Sequence, residues 1–289
     1  MGRTARSATE EAVVSSDWLS APPPGGEAPL AEIDTSVAHI ARVYDYWLGG
    51  KDNFAADRVA AEAAMREDPN VVEGVRGNRA FLARSVRYLV GQGGIRQFLD
   101  IGTGIPAADN THEVAQASAC ECRVVYVDND PIVLSHARAL LTSGTEGATA
   151  YLEEDLRNVA EIVRAAGGTL DFTRPVAVML IGVLQCIPDE DDPAGIVRRL
   201  MDAVPAGSYL AISHPGYDIY GPGPSNLASR LNELMPAKLT FRSHTDVARF
   251  FDGLDLLAPG LVRVPEWRPD SDADRANPAA VWGGVARKN

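Results

Sequence analysis

Three carboxylates and a glycine turn carry the chemistry legible in this chain. The stretch Phe98-Leu99-Asp100-Ile101-Gly102-Thr103-Gly104-Ile105-Pro106 has the pattern of a short buried strand, a tight turn and a helix opening at proline. Phe98, Leu99 and Ile101 supply the apolar run. Gly102 and Gly104, lacking a Cβ, let the backbone turn sharply and lie close to a ligand. Pro106 suits a first helical turn, where a missing N–H costs nothing. Gly102-x-Gly104-x-x-Ala107 formally fits a dinucleotide fingerprint, with Asp128 downstream as the ribose-binding acid. Asp100 argues for a different ligand. A carboxylate just before the first glycine repels a pyrophosphate at short range. It suits an ammonium group, which S-adenosylmethionine carries together with a sulfonium and no phosphate. Asp155, after the third predicted strand, can accept from an adenine amino group, and the Leu156 N–H can donate to the ring.

The other candidates are weaker, and each has a plainer reading. Arg79 could meet a ligand carboxylate; it could equally belong to a solvated helix face. Tyr44, Tyr46, Lys51 and Asn53 could line a lid over the pocket. They could also belong to a helix docked on the core, begun by Asp34 or Ser36 and ended by Gly49 or Gly50. His214, just after the fifth predicted strand, is the first candidate for a general base; the rival reading is a turn histidine with a backbone partner. Gln185 follows the fourth strand and cannot act as a base. Cys120, Cys122 and Cys186 have neither the number nor the His/Cys neighbours for a disulfide framework or a zinc site, so no metal is expected.

These residues need a sheet to hold them. Apolar strands are predicted at 98–101, 123–127, 148–152, 176–181 and 208–213. They alternate with helices at 107–119, 131–141, 159–165 and 192–204, which indicates right-handed βαβ units and a parallel sheet. The last third breaks the rhythm. Strands around 254–264 and 281–286 follow one another without a helix, so they cannot be a parallel crossover and read as an antiparallel pair. The fold class is therefore α/β: a Rossmann-like, seven-stranded, mostly parallel sheet with helices on both faces. Residues 1–30 read as a disordered tail, 31–94 as an N-terminal helical lid segment and 95–289 as the sheet domain.

The segment 98–106, Asp128, Asp155 and the terminal strand 281–286 resemble class I S-adenosylmethionine-dependent methyltransferases. The stretch Asp34-Thr35-Ser36, the run Arg42 to Phe54 with its Tyr-Asp-Tyr-Trp-Leu-Gly-Gly-Lys-Asp-Asn core, Ile187-Pro188-Asp189 and Val247-Ala248-Arg249-Phe250-Phe251 resemble more narrowly a family of methyltransferases known chiefly from actinobacteria, of unestablished substrate. The resemblance implies that Asp100, Gly102 and Gly104 line the methionine end of S-adenosylmethionine, that Asp128 takes the ribose hydroxyls, and that Asp155 with Leu156 takes the adenine. Asn53 and Arg79 are secondary candidates for the same ligand. Two departures stand out: Pro106 replaces a third glycine, and Gln185 stands where related enzymes often carry histidine.

Composition narrows the partners. The chain has 289 residues with 27 basic against 39 acidic side chains, a net charge of −12. That excess opposes binding of nucleic acid or anionic membrane by bulk electrostatics. No apolar run approaches the ~18 residues of a membrane span and no secretory core follows the early arginines, so a cytoplasmic protein is expected. The expected activity is methyl transfer to a small molecule. The alternatives are a catalytically idle S-adenosylmethionine-binding regulator and an NAD(P)-dependent oxidoreductase.

Overall fold

Apolar runs placed between helices build the sheet. The strands β1 (Gln97–Ile101), β2 (Arg123–Asp128), β3 (Ala148–Glu153), β4 (Ala177–Ile181) and β5 (Tyr209–Pro215) pair in parallel in the order β3-β2-β1-β4-β5. The computed structural model describes residues 34–133, 146–220 and 226–289. The tail expected at 1–30 and most of the helix expected at 131–141 lie outside the described residues. β6 (Asp255–Leu256) and β7 (Val262–Arg263) flank β8 (Val281–Arg287), which runs antiparallel along β5 from Tyr209 opposite Arg287 to Pro215 opposite Val281. Both short strands pair β8 antiparallel, so the C-terminal antiparallel arrangement is present, in an eight-stranded sheet rather than seven. The extra strand arises because a turn at 258–260 splits the outer edge in two.

Helices α1 (Ile40–Trp47), α2 (Ala55–Glu67) and α3 (Val71–Gly91) precede the sheet. Helices α4 (Thr111–Ser118), α5 (Val159–Ala166) and α6 (Pro193–Asp202) lie between its parallel strands, and α7 (Asn226–Leu234), α8 (His244–Ala248) and α9 (Asp272–Arg275) belong to the last third. Alternate strand residues face opposite sides. Leu99, Val125, Val178 and Leu180 pack with Ile162 of α5 and Ile196 and Leu200 of α6. Phe98, Val124, Tyr126 and Met179 pack on the other side with Phe81, Val86 and Leu89 of α3 and Val114 of α4. The first half of α3 serves a third core, in which Val71 and Val75 meet Val43 and Trp47 of α1, Ala60 and Ala64 of α2, and Leu227 and Leu231 of α7. One helix thus belongs both to the sheet and to a helical roof above its edge.

Local capping moves several boundaries. His39, not Asp34 or Ser36, is the N-cap of α1; Asp34 instead accepts hydrogen bonds from Ser36. Gly49, at φ +81°, follows the end of that helix. α4 starts at Thr111 rather than near Pro106, because Asn110 and Glu113 form a reciprocal cap and Asp109, at φ +59°, interrupts any earlier helical run. β5 continues through His214, which is therefore a strand residue.

Candidate functional site

The strand ends and the helical roof line a cavity of about 520 Å³. Small-molecule sites run to roughly 300–1,000 Å³. Ends of β1, β2 and β4 supply its floor, and α1, α3 and α7 supply the roof. Asp100, at the end of β1, lines it while only 4% exposed. Its Oδ2 accepts a hydrogen bond from Thr111 Oγ1 at 2.6 Å. Burial pushes its pKa up to about 6, against the opposing pull of that hydrogen bond and of the Arg79 charge. A buried carboxylate held this way is strengthened as an anion by any cation that enters. Gly102 is forced by geometry: its φ is +76°, and a Cβ there would stand 2.2 Å from Val183 Cγ2. Gly104, at φ +66°, donates its N–H to Asp128 Oδ2 at 2.9 Å, while Asp128 Oδ1 accepts from Asp130 N. Burial raises the Asp128 pKa, partly offset by these two N–H bonds.

Asp155 and Leu156 also reach the cavity. Asp155 is already engaged: Oδ1 accepts from the Arg157 N–H at 2.8 Å, Arg157 Nη1 lies 3.1 Å from both oxygens, and Asn129 Nδ2 is 3.4 Å from Oδ2. Burial alone would raise its pKa; the Arg157 contacts outweigh it and hold the carboxyl below its ordinary value. Arg79 lines the cavity with Nη2 donating to the carbonyls of Ala108 and Asp109, at 2.8 and 3.0 Å, so it ties α3 to the β1–α4 loop. Tyr44 and Gln185 are wall residues as well.

Four expected residues do not join this group. His214 is fully buried and outside the cavity wall; its Nδ1 bonds the Pro215 carbonyl at 3.0 Å, and its Nε2 lies 2.9 Å from Arg242 Nη1. Burial first, with the Arg242 charge adding to it, pushes its pKa down to about 3. Its acceptor nitrogen faces a guanidinium, so it has no lone pair for a substrate and the general-base expectation is corrected. Tyr46 instead donates to Glu62 Oε1 at 3.3 Å, and Lys51 is exposed. Asn53 Nδ2 donates to Asp45 Oδ2 at 2.9 Å, an oxygen that also takes the Asp52 N–H. A Cβ on Gly50 would stand 1.9 Å from Asp45 Oδ1. The Gly-Gly-Lys-Asp-Asn run is therefore a loop wound around Asp45, and the Asp52 N–H and the Asn53 side chain serve the turn.

Sequence reasoning missed Thr111, which holds Asp100, and Arg242, which carries no local signal because its partners lie far away in the chain. Arg242 donates to the carbonyls of Leu184 and Ile187, at 2.9 and 2.7 Å, and pairs with Asp189 Oδ1 at 2.7 Å, fixing the segment after β4. The first turn of α4 is committed too. The His112 N–H donates to Tyr126 Oη at 2.8 Å, and the Asn110 side chain accepts from the third-position N–H. The helix end therefore offers no free pair of donors for a pyrophosphate. Cys186 is a wall residue whose thiol burial pushes up to about 12. Among the described residues no cluster of three or more His, Cys, Asp or Glu could hold a metal ion, and no helix is long and apolar enough to cross a membrane.

Comparison with known proteins gives this geometry a lineage. A family model described as S-adenosyl methyltransferase matches residues 26–289. A protein of the DUF574 family from Streptomyces avermitilis, known from its crystal structure, is 45% identical; the match covers 89% of this chain and 99% of that one, with a TM-score of 0.84. A candidate methyltransferase from Thermobifida fusca, also a crystal structure, is 38% identical, over 90% of this chain and 98% of that one, with a TM-score of 0.82. No curated protein matches the chain.

Proposed function

We propose a small-molecule acceptor for this chain, which belongs to the S-adenosyl methyltransferase family and takes its methyl group from S-adenosylmethionine. The observation that carries the reading is the cavity of about 520 Å³ between the strand ends and the helical roof, a volume in the roughly 300–1,000 Å³ range of small-molecule sites. When bound, S-adenosylmethionine supplies an electrophilic methyl group on a sulfonium sulfur. The residues present fit that ligand. Asp100 is a buried acid with no ion pair, suited to the ammonium. Asp128, its second carboxylate neighbour along the floor, takes the ribose hydroxyls. The Leu156 N–H has no partner among the described residues and donates to the adenine ring, with Asp155 beside it. Gly102 and Gly104 keep the turn close to the ligand, and Arg79 meets its carboxylate. Membership of the family, the spent donors of α4 and the buried Asp100 together oppose the dinucleotide alternative.

The chain contributes mainly position. His214 faces Arg242, the Cys186 thiol stays protonated and burial also raises Tyr44, so none of these three is offered as the base; His39, which lines the cavity, has its Nδ1 3.0 Å from Asp130 Oδ2. Aligning the acceptor atom with the methyl along the sulfur–carbon axis is then the chief source of rate. The roof made by α1, α3 and α7 acts as a lid that keeps water from the reacting atoms. The test is transfer of a radiolabelled methyl from S-adenosylmethionine to a fractionated cell extract. Label is expected in the small-molecule fraction; label confined to the protein fraction refutes the proposal.

A further inference from the structure

Gly74 of α3 is a buried glycine whose side-chain position is empty. A Cβ there would meet nothing within 4 Å, whereas a Cβ on Gly77, three residues on, would stand 2.8 Å from Asn277 Oδ1. Gly77 is small because the chain packs on it; no packing contact accounts for Gly74. A glycine inside a helix weakens the helix, so the room it leaves needs another reason. Gly74 lines the cavity together with Val71, Val75 and Asn78, at the spacing of one helix face. The open space at its Cβ is therefore part of that cavity. Helical rise puts it about 7.5 Å along α3 from Arg79, the residue that reaches the loop after β1.

The charged wall residues gather elsewhere. Asp100, Asp128, Glu154, Asp155 and Arg157 lie at or just after the ends of β1, β2 and β3, where the methyl donor is assigned, and His39 pairs with Asp130 after β2. Glu190, after β4, is exposed. The part of the wall built by α1, α3 and α7 is apolar: Tyr44, Trp47, Val71, Val75 and Leu227 belong to the third core, with Phe241 packed against it. The polar atoms of its aromatic residues are used within the chain. Tyr44 Oη donates to the Val75 carbonyl at 3.2 Å and accepts from Asn78 Nδ2 at 3.1 Å, and Trp47 Nε1 donates to the Ala61 carbonyl at 3.2 Å. Among the described residues 40–75 and 227–241, the charged wall residues are Asp68 and Lys238. Asp68 Oδ1 accepts the Asn70 N–H at 2.9 Å, and Lys238 is exposed with its Nζ on the Asn232 carbonyl. A charged group against this wall would lose its hydration and gain no partner, whereas a neutral ring meets aromatic and aliphatic surface. We infer that this end of the cavity is the acceptor subsite, and that a neutral, apolar aromatic ring of the molecule to be methylated lies on the backbone of α3 at Gly74. The inference rests on the methyltransferase reading above and adds a substrate class to it: the subsite selects by apolar contact and shape, and rejects rings that carry a carboxylate or an ammonium.

Calorimetry near neutral pH on the full chain saturated with S-adenosylhomocysteine tests this, with 2-naphthol as the neutral probe and 2-naphthoate and protonated 2-naphthylmethylamine as its charged counterparts. 2-Naphthol is expected to bind tighter than either charged ring by about tenfold or more. Gly74→Leu fills the empty position. It should weaken 2-naphthol by about tenfold or more and change S-adenosylhomocysteine affinity by less than about twofold, with a Tm no lower than that of the wild type because leucine favours the helix. Gly74→Ala adds one methyl with no neighbour to strike; it should keep or raise Tm and weaken 2-naphthol less, and it carries the test if leucine unfolds the chain. Equal binding of neutral and charged rings, no 2-naphthol binding by the wild type, or an undiminished 2-naphthol affinity in the folded Gly74 variants overturns the subsite. A lowered Tm in Gly74→Ala would mean that the position is filled, and overturns it too. Equal losses of 2-naphthol and S-adenosylhomocysteine would place the methyl donor against Gly74 instead and also overturn it. A wild-type chain that binds no S-adenosylhomocysteine would strike the methyltransferase reading, a result distinct from all of these.

Discussion

Asp100 sits where its own charge is unwelcome, and that makes its ligand measurable. In the ligand-free protein its pKa is about 6 because burial disfavours the carboxylate. A folded pKa above the unfolded one means that the stability Asp100 contributes is fully present below the ordinary carboxyl range and is lost as pH rises through about 6. A bound ammonium reverses the preference and pulls the pKa down. Affinity for S-adenosylhomocysteine should therefore fall as pH drops below 6, by up to about tenfold per unit, and level off above it. Calorimetry in buffers of different ionisation enthalpy should show proton release on binding near pH 6, and Asp100→Asn should abolish it; an unshifted pH profile in that variant contradicts the ammonium role. Asp128→Ala removes a carboxylate that also holds the Gly104 and Asp130 N–H groups. It should weaken S-adenosylhomocysteine by at least the ~1–3 kcal/mol of a hydrogen bond to a charged group, and an unchanged Kd in a folded variant removes the ribose assignment. Asp100, Asp128 and Leu156 could be named from sequence because each lies at or just beyond the C-terminal end of a strand, so strand position fixes their place at one edge of the sheet. Thr111 and Arg242 could not, because their partners are set by tertiary contact.

Among the elements that wall the cavity, α1 is short and is tethered by a neighbouring helix. It has eight residues, too few to persist alone. Asp57 of α2, fully buried, holds its start: Oδ1 accepts the His39 N–H at 2.9 Å, Oδ2 the Phe54 N–H at 2.8 Å, and Arg42 Nε lies 3.2 Å from Oδ1. Asp57→Ala strands a buried guanidinium and should cost about 3–5 kcal/mol, read as a lowered denaturant midpoint. Because α1 walls the cavity, S-adenosylhomocysteine affinity should fall with it; a loss of stability with full affinity would show that the roof is not part of the site. Periodicity makes the helices of this region legible, but not their roles. A motif of Gly, Lys, Asp and Asn reads the same whether it meets a ligand or closes a loop, and only the Asp45 contacts distinguish the two. The start of α4 misled for a related reason. Proline and glycine mark where a helix is allowed, whereas Asn110 and Glu113 decide where it begins.

At the scale of the molecule, the mostly parallel sheet with its antiparallel C-terminal strands was legible because strands alternate with crossover helices until the last third. The cavity was not, because its roof joins segments far apart in sequence: α1 and α3 from the start of the chain and α7 from its last third. That construction has an energetic consequence. A ligand contacting both the strand ends and the roof binds only when the two are assembled, so its binding energy adds to the stability of Ile33–Asn289 as one unit. At a concentration a hundredfold above Kd the gain is about 2.7 kcal/mol. For a chain of this size each kcal/mol raises Tm by roughly 2–4 °C. S-adenosylhomocysteine at that level should therefore raise Tm by roughly 5–10 °C in a single transition, while NAD at the same concentration leaves Tm unchanged. Two transitions, with only one of them shifted by the ligand, would mean that the roof and the sheet unfold separately and that α3 does not couple them.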